Sequence, residues 1–511
     1  MTAVLSLDIG TNGARAGVFD LAEGRIVAQG EAAYPTRHLP PNRAEQNPHD
    51  WWSALTRVVP RVLAEAANPQ IAAITVATFA STVVLADRRG TPLAPAILWM
   101  DARATAEAEL TQVDHPVMKF SGGSDAVEWL VPKAMWVAAN DRMLWDRTEI
   151  VCEALDYVNF RLTGEWCGSL MNATCKWNFD SRAFRFCTEL YEMFGIPELV
   201  CRLPQRIARI GEVIAPVLPE VRRELGIRGM PVVVQGGIDA HMGTFGANTL
   251  MPGAMLLIGG TSNVHLTQVP DDGREVAGVW GPYPDALTPG FRMIEGGQVS
   301  AGSILKWLSQ DIFGIGDADL PPLLEAAGAI EPQATGLMAL DFWMGNRTPY
   351  RDARLRGAFL GLSLSHDRAA IYRAAVTAVA LGAANVIHDL ESQGVSIDRI
   401  VLAGGIQRNP LWLHATIDAI GKDVAIAEAD NLTLYGCVVA AAVGLGMFPD
   451  LVTAAGALQA AARPAAPDAA RHAQYRRLLG DYRAAVEILA PMLHKLADAE
   501  FPGPGRSCND G

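Results

Sequence analysis

Residues 3–19 read AVLSLDIGTNGARAGVF, two apolar runs on either side of a short glycine-rich turn. This pattern predicts two antiparallel strands joined at Gly10–Gly13. Successive backbone N–H groups and a threonine hydroxyl in such a turn can cradle phosphate oxygens. Asp8, three residues before Thr11, would lie at the base of the turn, where its carboxylate could hold Mg²⁺ directly or through water. The alternative is an ordinary hairpin turn in which Asp8 pairs locally.

The same pattern returns half a chain later, where residues 254–268 read AMLLIGGTSNVHLTQ. Two copies of strand, Gly-Thr turn and strand predict two related lobes. Two such loops that face each other across a cleft would form a clamp for a nucleotide. Strands that alternate with helices, such as those predicted over residues 50–67 and 368–393, indicate an α/β class.

The composition excludes several classes of function. A chain of 511 residues suggests two or three domains, and a formal net charge of −13 argues against a nucleic-acid-binding surface. The seven cysteines include no CxxC pair, which predicts reduced, structural thiols. The N-terminus does not resemble a signal peptide, and the longest uncharged runs, 68–86 and 431–449, are more typical of buried strands and a core helix than of a membrane span. We therefore expect a cytoplasmic protein.

A third element is GGIDAH at residues 236–241, between a predicted strand and a predicted helix. The commonest role of an aspartate here is to cap the helix, and the local sequence favours that role for Asp239. The alternative is a general base in a cleft, where the two preceding glycines let a ligand approach closely. Transfer of a phosphoryl group to an alcohol needs such a carboxylate to orient and deprotonate the hydroxyl.

A fourth element is LAGGIQRN at residues 402–409, which follows a predicted strand. The paired glycines Gly404 and Gly405 would let a flat base or a ribose lie against the backbone. The alternative is a tight turn between a strand and a helix.

Taken in order, these stretches resemble the FGGY carbohydrate kinases, a branch of the actin, hexokinase and Hsp70 ATPase superfamily. The resemblance runs from DIGTNG at residue 8 to the predicted helix at 436–446. It includes four further stretches: EQNPHDWW at 45–52, ILWMDAR at 97–103, RTP at 347–349 and GAFLGL at 357–362.

The resemblance implies an α/β protein with two ribonuclease-H-like lobes around a central cleft. Residues 1–250 would form the N-terminal lobe with the sugar site and the first phosphate loop. Residues 251–495 would form the C-terminal lobe with the ATP site, and 496–511 a flexible tail. The implied cofactors are ATP and Mg²⁺, with Asp8 as the metal ligand, and Asp239 is implied to be the catalytic base. The residues implied at the nucleotide are Asp8, Gly10, Thr11, Asn12, Arg15, Gly260, Thr261, Ser262, Gly404, Gly405 and Asn409.

Two stretches resemble ribulokinases: NATCKW at 172–177, which would supply a sugar-contacting Lys176, and EGGQVS at 295–300, which would supply Glu295. The alternatives are that Lys176 extends along the surface and that Glu295 makes a structural ion pair. Ala80–Thr82 departs from the Met-His-Gly of xylulokinases, and Phe79–Ser81 lacks the Arg-Glu pair of glycerol kinases. The full set of implied substrate-binding residues is Ser81, Asp101, Lys176, Asp239, Glu295 and Gln298.

The expected reaction is phosphorylation of the 5-hydroxyl of a ketopentose of the ribulose or xylulose type. A kinase for a polyol or another sugar, and an actin- or Hsp70-like ATPase without a sugar substrate, are the alternatives. Trp51, Trp52 and Trp99 could wall the sugar cleft, although tryptophan is more often a core residue. The expected partner is a small sugar, with no nucleic acid or membrane. The resemblance is also compatible with a homodimer.

Overall fold

The computed structural model describes residues 2–499. The strands of the first half are β1 (Thr2–Ile9), β2 (Gly13–Asp20), β3 (Arg25–Ala33), β4 (Arg37–Leu39), β5 (Arg43–Gln46), β6 (Gln70–Thr78), β7 (Val83–Ala86), β8 (Ala96–Ile97), β9 (Ile150–Glu153), β10 (Cys167–Ser169), β11 (Phe179–Asp180), β12 (Arg185–Phe186), β13 (Arg206–Ala208), β14 (Val213–Pro216) and β15 (Val232–Val234). Its helices are α1 (Pro48–Glu65), α2 (Thr105–Leu110), α3 (Leu130–Asn140), α4 (Arg142–Arg147), α5 (Ala154–Thr163), α6 (Leu170–Lys176), α7 (Thr188–Met193), α8 (Leu199–Arg202), α9 (Pro219–Glu224) and α10 (Asp239–Gly246).

The second half has fewer strands and longer helices. Its strands are β16 (Gly253–Gly259), β17 (Asn263–Pro270), β18 (Trp280–Pro284), β19 (Phe291–Gln298), β20 (Met338–Leu340), β21 (Ala358–Leu360), β22 (Ile397–Ala403), β23 (Val424–Ala427) and β24 (Ala462–Ala465). Its helices are α11 (Gly302–Lys306), α12 (Leu320–Gly328), α13 (Arg368–Ser392), α14 (Pro410–Ile420), α15 (Leu432–Gly444), α16 (Leu451–Leu458) and α17 (Ala469–Asp498).

The first sheet has six strands in the order β14-β15-β6-β1-β2-β3. β1 pairs antiparallel with β2, so that Asp8 lies opposite Arg15, and it pairs parallel with β6. Both central strands are buried because helices cover both faces of the sheet. Leu5 and Leu7 pack with α1 and α5 on one face, and Val4 packs with α10 and α15 on the other.

The second sheet repeats this core within seven strands, in the order β18-β19-β17-β16-β22-β23-β24. β16 pairs antiparallel with β17 and parallel with β22, as β1 does with β2 and β6. The two hairpins predicted from the sequence are thus confirmed, and their surroundings match as well. A smaller sheet, β4-β5-β8-β7-β9, adjoins the first one and carries the loops after β6 and β8.

Helices α10 and α15 form a layer between the two sheets. Met242 and Phe245 of α10 pack in one apolar cluster with Val4 of the first sheet and Leu256 of the second. The two helices approach so closely that a Cβ at Gly436 would lie 1.9 Å from the carbonyl oxygen of Met242. No side chain fits there, so glycine is what allows this crossing.

The helix predicted over 50–67 begins earlier, at Pro48, because Asn47 caps it by accepting a hydrogen bond from the His49 backbone N–H. Residues 496–498 of the predicted tail belong to α17, which continues to Asp498, and residues 500–511 lie outside the described part. Within residues 2–499, α13 is long and apolar enough to cross a membrane, and its most apolar window is 89% buried inside the protein.

The cysteines of the described residues all have free thiols, as expected, and Cys201 is the exposed one among them. Cys508 lies outside the described residues.

Replacement of Gly436 by alanine tests the helix crossing. The new methyl group meets a backbone carbonyl of α10, which cannot rotate away. We expect Gly436→Ala to lower the free energy of unfolding in urea by about 1–3 kcal/mol or more.

Gly456→Ala is the matched control, because Gly456 lies in helix α16 with open space where its Cβ would be. This change is expected to raise the free energy of unfolding by up to about 1 kcal/mol through helix propensity. Equal effects of the two changes would contradict the close crossing.

Candidate active site

The first Gly-Thr turn is fixed from several sides. Gln46 Nε2 donates to the carbonyl of Thr11 at 2.7 Å, and Trp99 Nε1 donates to its hydroxyl at 3.1 Å. The hydroxyl of Tyr34 donates to the carbonyl of Gly10. Gln46 also accepts a hydrogen bond from Trp51, so the EQNPHDWW stretch supports this turn. Trp51 and Trp52 are core residues, and Trp99 is the exposed one of the three tryptophans considered for the cleft.

Asp8 is buried at the base of this turn. Its Oδ2 accepts hydrogen bonds from Arg15 at 3.1 Å and from Asn431 at 2.7 Å, whereas its Oδ1 has no partner among the described residues. Burial raises the pKa of Asp8, and the attraction of Arg15 offsets this only in part. A buried carboxylate oxygen without a partner fits a cation, and Mg²⁺ is commonly held by one or two carboxylates together with substrate phosphates. The described residues contain no cluster of three or more His, Cys, Asp or Glu side chains suited to a metal.

The second Gly-Thr turn, Gly260–Ser262, joins β16 to β17. Its backbone is held by Gly260 N–H, which donates to the carbonyl of Ser262 at 2.9 Å, and by Ala301 N–H, which donates to the carbonyl of Thr261 at 2.9 Å. Gly404, with φ of +89°, packs against this region, since a Cβ on it would lie 2.7 Å from the carbonyl oxygen of Gly259. A side chain at position 404 would therefore collide with the strand that leads into the second turn.

A cavity of about 610 Å³ lies between β2 and β3 on one side and the Gly404-Gly405 turn and the loop before α15 on the other. It is lined by residues of both halves, among them Arg15, Glu31, Gly404, Gly405, Arg408 and Asn431. Asn409 lies beside this region, but its side chain caps α14 by accepting from Trp412 N–H at 3.1 Å. A nucleotide contact by Asn409 stays a prediction.

Asp239 is the first residue of α10, and Ile238 occupies the cap position, so the N-cap interpretation of Asp239 is wrong. Its half-buried carboxylate accepts one hydrogen bond, from Ala240 N–H at 2.6 Å. Removal from solvent, reinforced by the negative charge of Asp8, raises the pKa of Asp239 to about 7. A group with this pKa is suited to accept a proton near neutral pH.

Lys176 and Glu295, which the sequence assigned to the same ligand, lie together although they belong to different halves. Lys176 Nζ is 3.3 Å from Glu295 Oε2, and it lies over the rings of Trp129 and Trp280 at 4.7 and 4.8 Å. The surface alternative for Lys176 is wrong, since its side chain is 3% exposed. Although burial opposes ionisation, Lys176 and then His241 hold the pKa of Glu295 well below its usual range.

The remaining predicted substrate residues differ in whether their polar side chains already bind other protein groups. Ser81 is buried in the turn between β6 and β7, with φ of +59°. Asp101 accepts from Ala44 N–H and is paired with Arg103, each at 2.7 Å. The amide of Gln298 donates to Asp341 at 2.6 Å and accepts from Asn263 at 2.6 Å. Both Asp101 and Gln298 are thus occupied by protein partners, and their substrate contacts stay predictions.

Several residues of the site were not singled out from the sequence. Asn431 donates to Asp8, and His241 Nε2 lies 3.4 Å from Glu295 Oε2. The position of His241 two residues after Asp239, on the first turn of the same helix, was a usable signal. Asn431 offered none, because it is 423 positions away from Asp8.

The chain matches known proteins along most of its length. The model of the N-terminal domain of the FGGY family of carbohydrate kinases matches residues 3–246, and that of the C-terminal domain matches residues 255–445. The chain is similar to the FGGY carbohydrate kinase domain-containing protein of Homo sapiens, with 29% identity over 87% of this chain and 89% of that protein. It is 28% identical to a ribulokinase of Shouchella clausii, over 86% of each chain.

The crystal structure of a xyloylose kinase from Brucella ovis superposes with a TM-score of 0.85 at 26% identity, over 97% of this chain and 100% of that one. These matches confirm the fold class predicted from the sequence, two lobes of the actin and hexokinase type around a central cleft.

Replacement of Lys176 by methionine tests the buried ion pair. The change leaves Glu295 as a buried charge without its main counterion, so we expect the free energy of unfolding to fall by about 3–5 kcal/mol at neutral pH.

The double variant Lys176→Met/Glu295→Gln removes both charges. It should be less destabilised than the sum of the two single variants by more than about 1 kcal/mol. Additive effects would mean that the two side chains do not interact.

Proposed function

The chain belongs to the FGGY family of carbohydrate kinases, and on this premise we propose that it transfers the γ-phosphoryl group of ATP to the 5-hydroxyl of a ketopentose of the ribulose or xylulose type. The observation that carries the proposal is the buried pair of Lys176 and Glu295, near the unpaired carboxylate of Asp239. The names of the ribulokinase and the xyloylose kinase among its relatives support the same class of substrate.

Recognition of a polyhydroxylated ketose requires hydrogen-bond donors and acceptors of the protein on more than one side of the sugar. Lys176 offers N–H donors to oxygen atoms of the sugar, and Glu295 offers carboxylate oxygens to its hydroxyl protons. An analogue that lacks one of these hydroxyls would leave a buried charged group without a partner, which discriminates strongly against it. The indole rings of Trp129 and Trp280 keep water from Lys176 and so strengthen this recognition.

Asp239 acts as the general base in the proposed reaction. Its carboxylate would accept the proton of the sugar 5-hydroxyl while that oxygen attacks the γ-phosphorus in line. Its position at the start of a helix keeps it at the floor of the cleft, and its raised pKa leaves it basic enough to take the proton at neutral pH. Closure of the two lobes would exclude water, which otherwise competes for the phosphoryl group.

The nucleotide side rests on the two Gly-Thr turns. Their backbone N–H groups would hold phosphate oxygens, and Arg15 would add a positive charge next to the first turn. Asp8 would hold Mg²⁺ through its unpartnered Oδ1, and the ion would neutralise charge on the phosphate oxygens. Gly404 and Gly405 would let the adenosine lie along the cavity that they line together with Arg15 and Asn431.

We further propose that the protein works in the cytoplasm on a small sugar, as a monomer or homodimer, without nucleic acid or membrane partners. Its net charge of −13 supports the absence of a nucleic-acid partner.

Release of ADP from MgATP tests the proposed function and its base together. We expect one of D-ribulose, L-ribulose, D-xylulose and L-xylulose to stimulate the wild-type protein strongly. Asp239→Asn should lower that turnover by at least about 10²-fold while leaving the KM for ATP near its original value. If the turnover of Asp239→Asn stays within tenfold of wild type, Asp239 is not the general base.

Two other outcomes of the substrate panel are informative. If only polyols stimulate ADP release, the phosphoryl acceptor is a polyol and not a ketopentose. Hydrolysis of ATP at the same rate with and without every sugar would favour an ATPase of the actin or Hsp70 type.

The pH dependence of kcat/KM tests the environment of Asp239, because this parameter reports on groups of the free enzyme. Since the base must be ionised and its pKa is raised to about 7, kcat/KM for the sugar should fall about tenfold per pH unit below pH 7 and level off above it. An acid limb near pH 4, the usual carboxyl range, would mean that Asp239 is solvated as in a model peptide.

A further inference from the structure

Ser81 has a backbone conformation that residues with a side chain rarely adopt. Its φ is +59°, and its side chain is 2% exposed in the turn between β6 and β7. Such a conformation persists only where the surroundings enforce it, and it recurs at active sites and ligand sites.

Two buried charged residues hold the peptide groups of Ser81 from opposite ends. The N–H of Ser81 donates to Glu153 Oε2 at 2.8 Å, and the carbonyl of Ser81 accepts from Lys133 Nζ at 2.7 Å. Glu153 and Lys133 are each 0% exposed. Neither side chain is open to solvent, so their contacts with Ser81 are entirely internal.

Glu153 also holds the helix that carries Lys176. Its Oε2 accepts from Asn172 Nδ2 at 2.9 Å, and its Oε1 accepts from Trp177 Nε1 at 2.8 Å. Asn172 lies within α6, and Trp177 follows its last residue, Lys176. The Glu153 carboxylate therefore fixes the distance between Ser81 and Lys176. Both residues are predicted to contact the sugar.

Lys133 extends the same arrangement toward the first phosphate turn. Its ammonium group donates to the carbonyl of Leu98 at 2.6 Å, directly before Trp99. Trp99 in turn donates to the hydroxyl of Thr11 at 3.1 Å. The loop after β6, the loop after β8 and the first Gly-Thr turn are thus connected through the buried side chain of Lys133.

We propose that Glu153 and Lys133 are positioning residues that set the selectivity of the sugar site, by holding Ser81 in its left-handed conformation at a fixed distance from Lys176. The proposal rests on the proposed function, because it assigns a sugar to that site. Glu153 and Lys133 do not touch the sugar. They act on it through the Ser81 peptide and helix α6.

The test compares C3 epimers, ribulose against xylulose of the same series, in Glu153→Gln and Lys133→Met. In Glu153→Gln an amide N–H₂ group replaces one of the two carboxylate oxygens, which accept from Ser81, Asn172 and Trp177. In Lys133→Met the carbonyls of Ser81 and Leu98 lose their donor. A shift of about 1 Å at a reacting group can cost about 10²-fold in rate. We therefore expect the KM for the preferred epimer to rise at least about tenfold and the kcat/KM ratio of the two epimers to fall by at least about tenfold. In Glu153→Gln, whose contacts are with Ser81 and helix α6, the KM for ATP should stay within about twofold of wild type.

Two further variants separate positioning from a loss of stability. Asn172→Ala removes one donor to Glu153 without removing its charge, and it should shift the epimer ratio in the same direction by less. Asp418→Asn is the matched control, since Asp418 is a buried carboxylate that accepts from Arg471 Nε at 2.7 Å and Asp468 N–H at 2.8 Å on a helix of the second half. It should leave the epimer ratio unchanged even where it lowers the free energy of unfolding.

An epimer ratio within twofold of wild type in the folded variants, Asn172→Ala included, overturns the proposal. An equal shift in Asp418→Asn also overturns it, because the effect would then follow from stability alone. If the wild-type protein phosphorylates no ketopentose, the proposed function fails by itself. The positioning proposal is then judged by the same ratio for ribitol and xylitol, which also differ at C3.

Discussion

The close crossing of α10 and α15 is the contact on which the active site depends. It exists because Gly436 faces a carbonyl of α10 that no larger residue could approach. Helix α10 begins with Asp239, and Asn431 caps α15 and donates to Asp8. The depth of the crossing therefore fixes how far the proposed base lies from the carboxylate at the phosphate turn. Since the two sheets pack on opposite sides of these helices, the same contact also sets the spacing of the lobes.

The site pairs some of its acidic side chains with cationic side chains, whereas the carboxylate of Asp239 has no such ion pair among the described residues. Lys176 and Glu295 neutralise each other, and Asp8 is balanced in part by Arg15. Removal of Asp239 from solvent and the nearby negative charge of Asp8 raise the pKa of this carboxyl, and its one backbone donor offsets that only in part. This division matches two chemical tasks, because a recognition charge must stay ionised whereas a base must be able to exchange its proton.

Much of the fold could be predicted from the sequence because its signals are local. The two hairpins and helix α13 follow from apolar runs and turn residues that are near each other in the chain. The role of Asp239 could not be read locally, since a helix cap and a base occupy the same kind of position, and only the family resemblance favoured the base. The resemblance placed Lys176 and Glu295 at the same sugar, but their direct ion pair could not be predicted because no spacing rule connects residues 119 positions apart. Gln298 was assigned by resemblance alone, and its hydrogen bonds to Asp341 and Asn263 could not be foreseen from positions so far apart in the chain.

The ion pair of Lys176 and Glu295 also constrains how the gene can change. Each half of the chain carries one of the two charges, so a recombination event that replaces a single half with one that lacks the matching charge would bury the other charge without its counterion. The descendants of such an exchange would be unstable before any question of substrate arises. The two halves, although they repeat one architecture, therefore share a contact that neither half completes by itself.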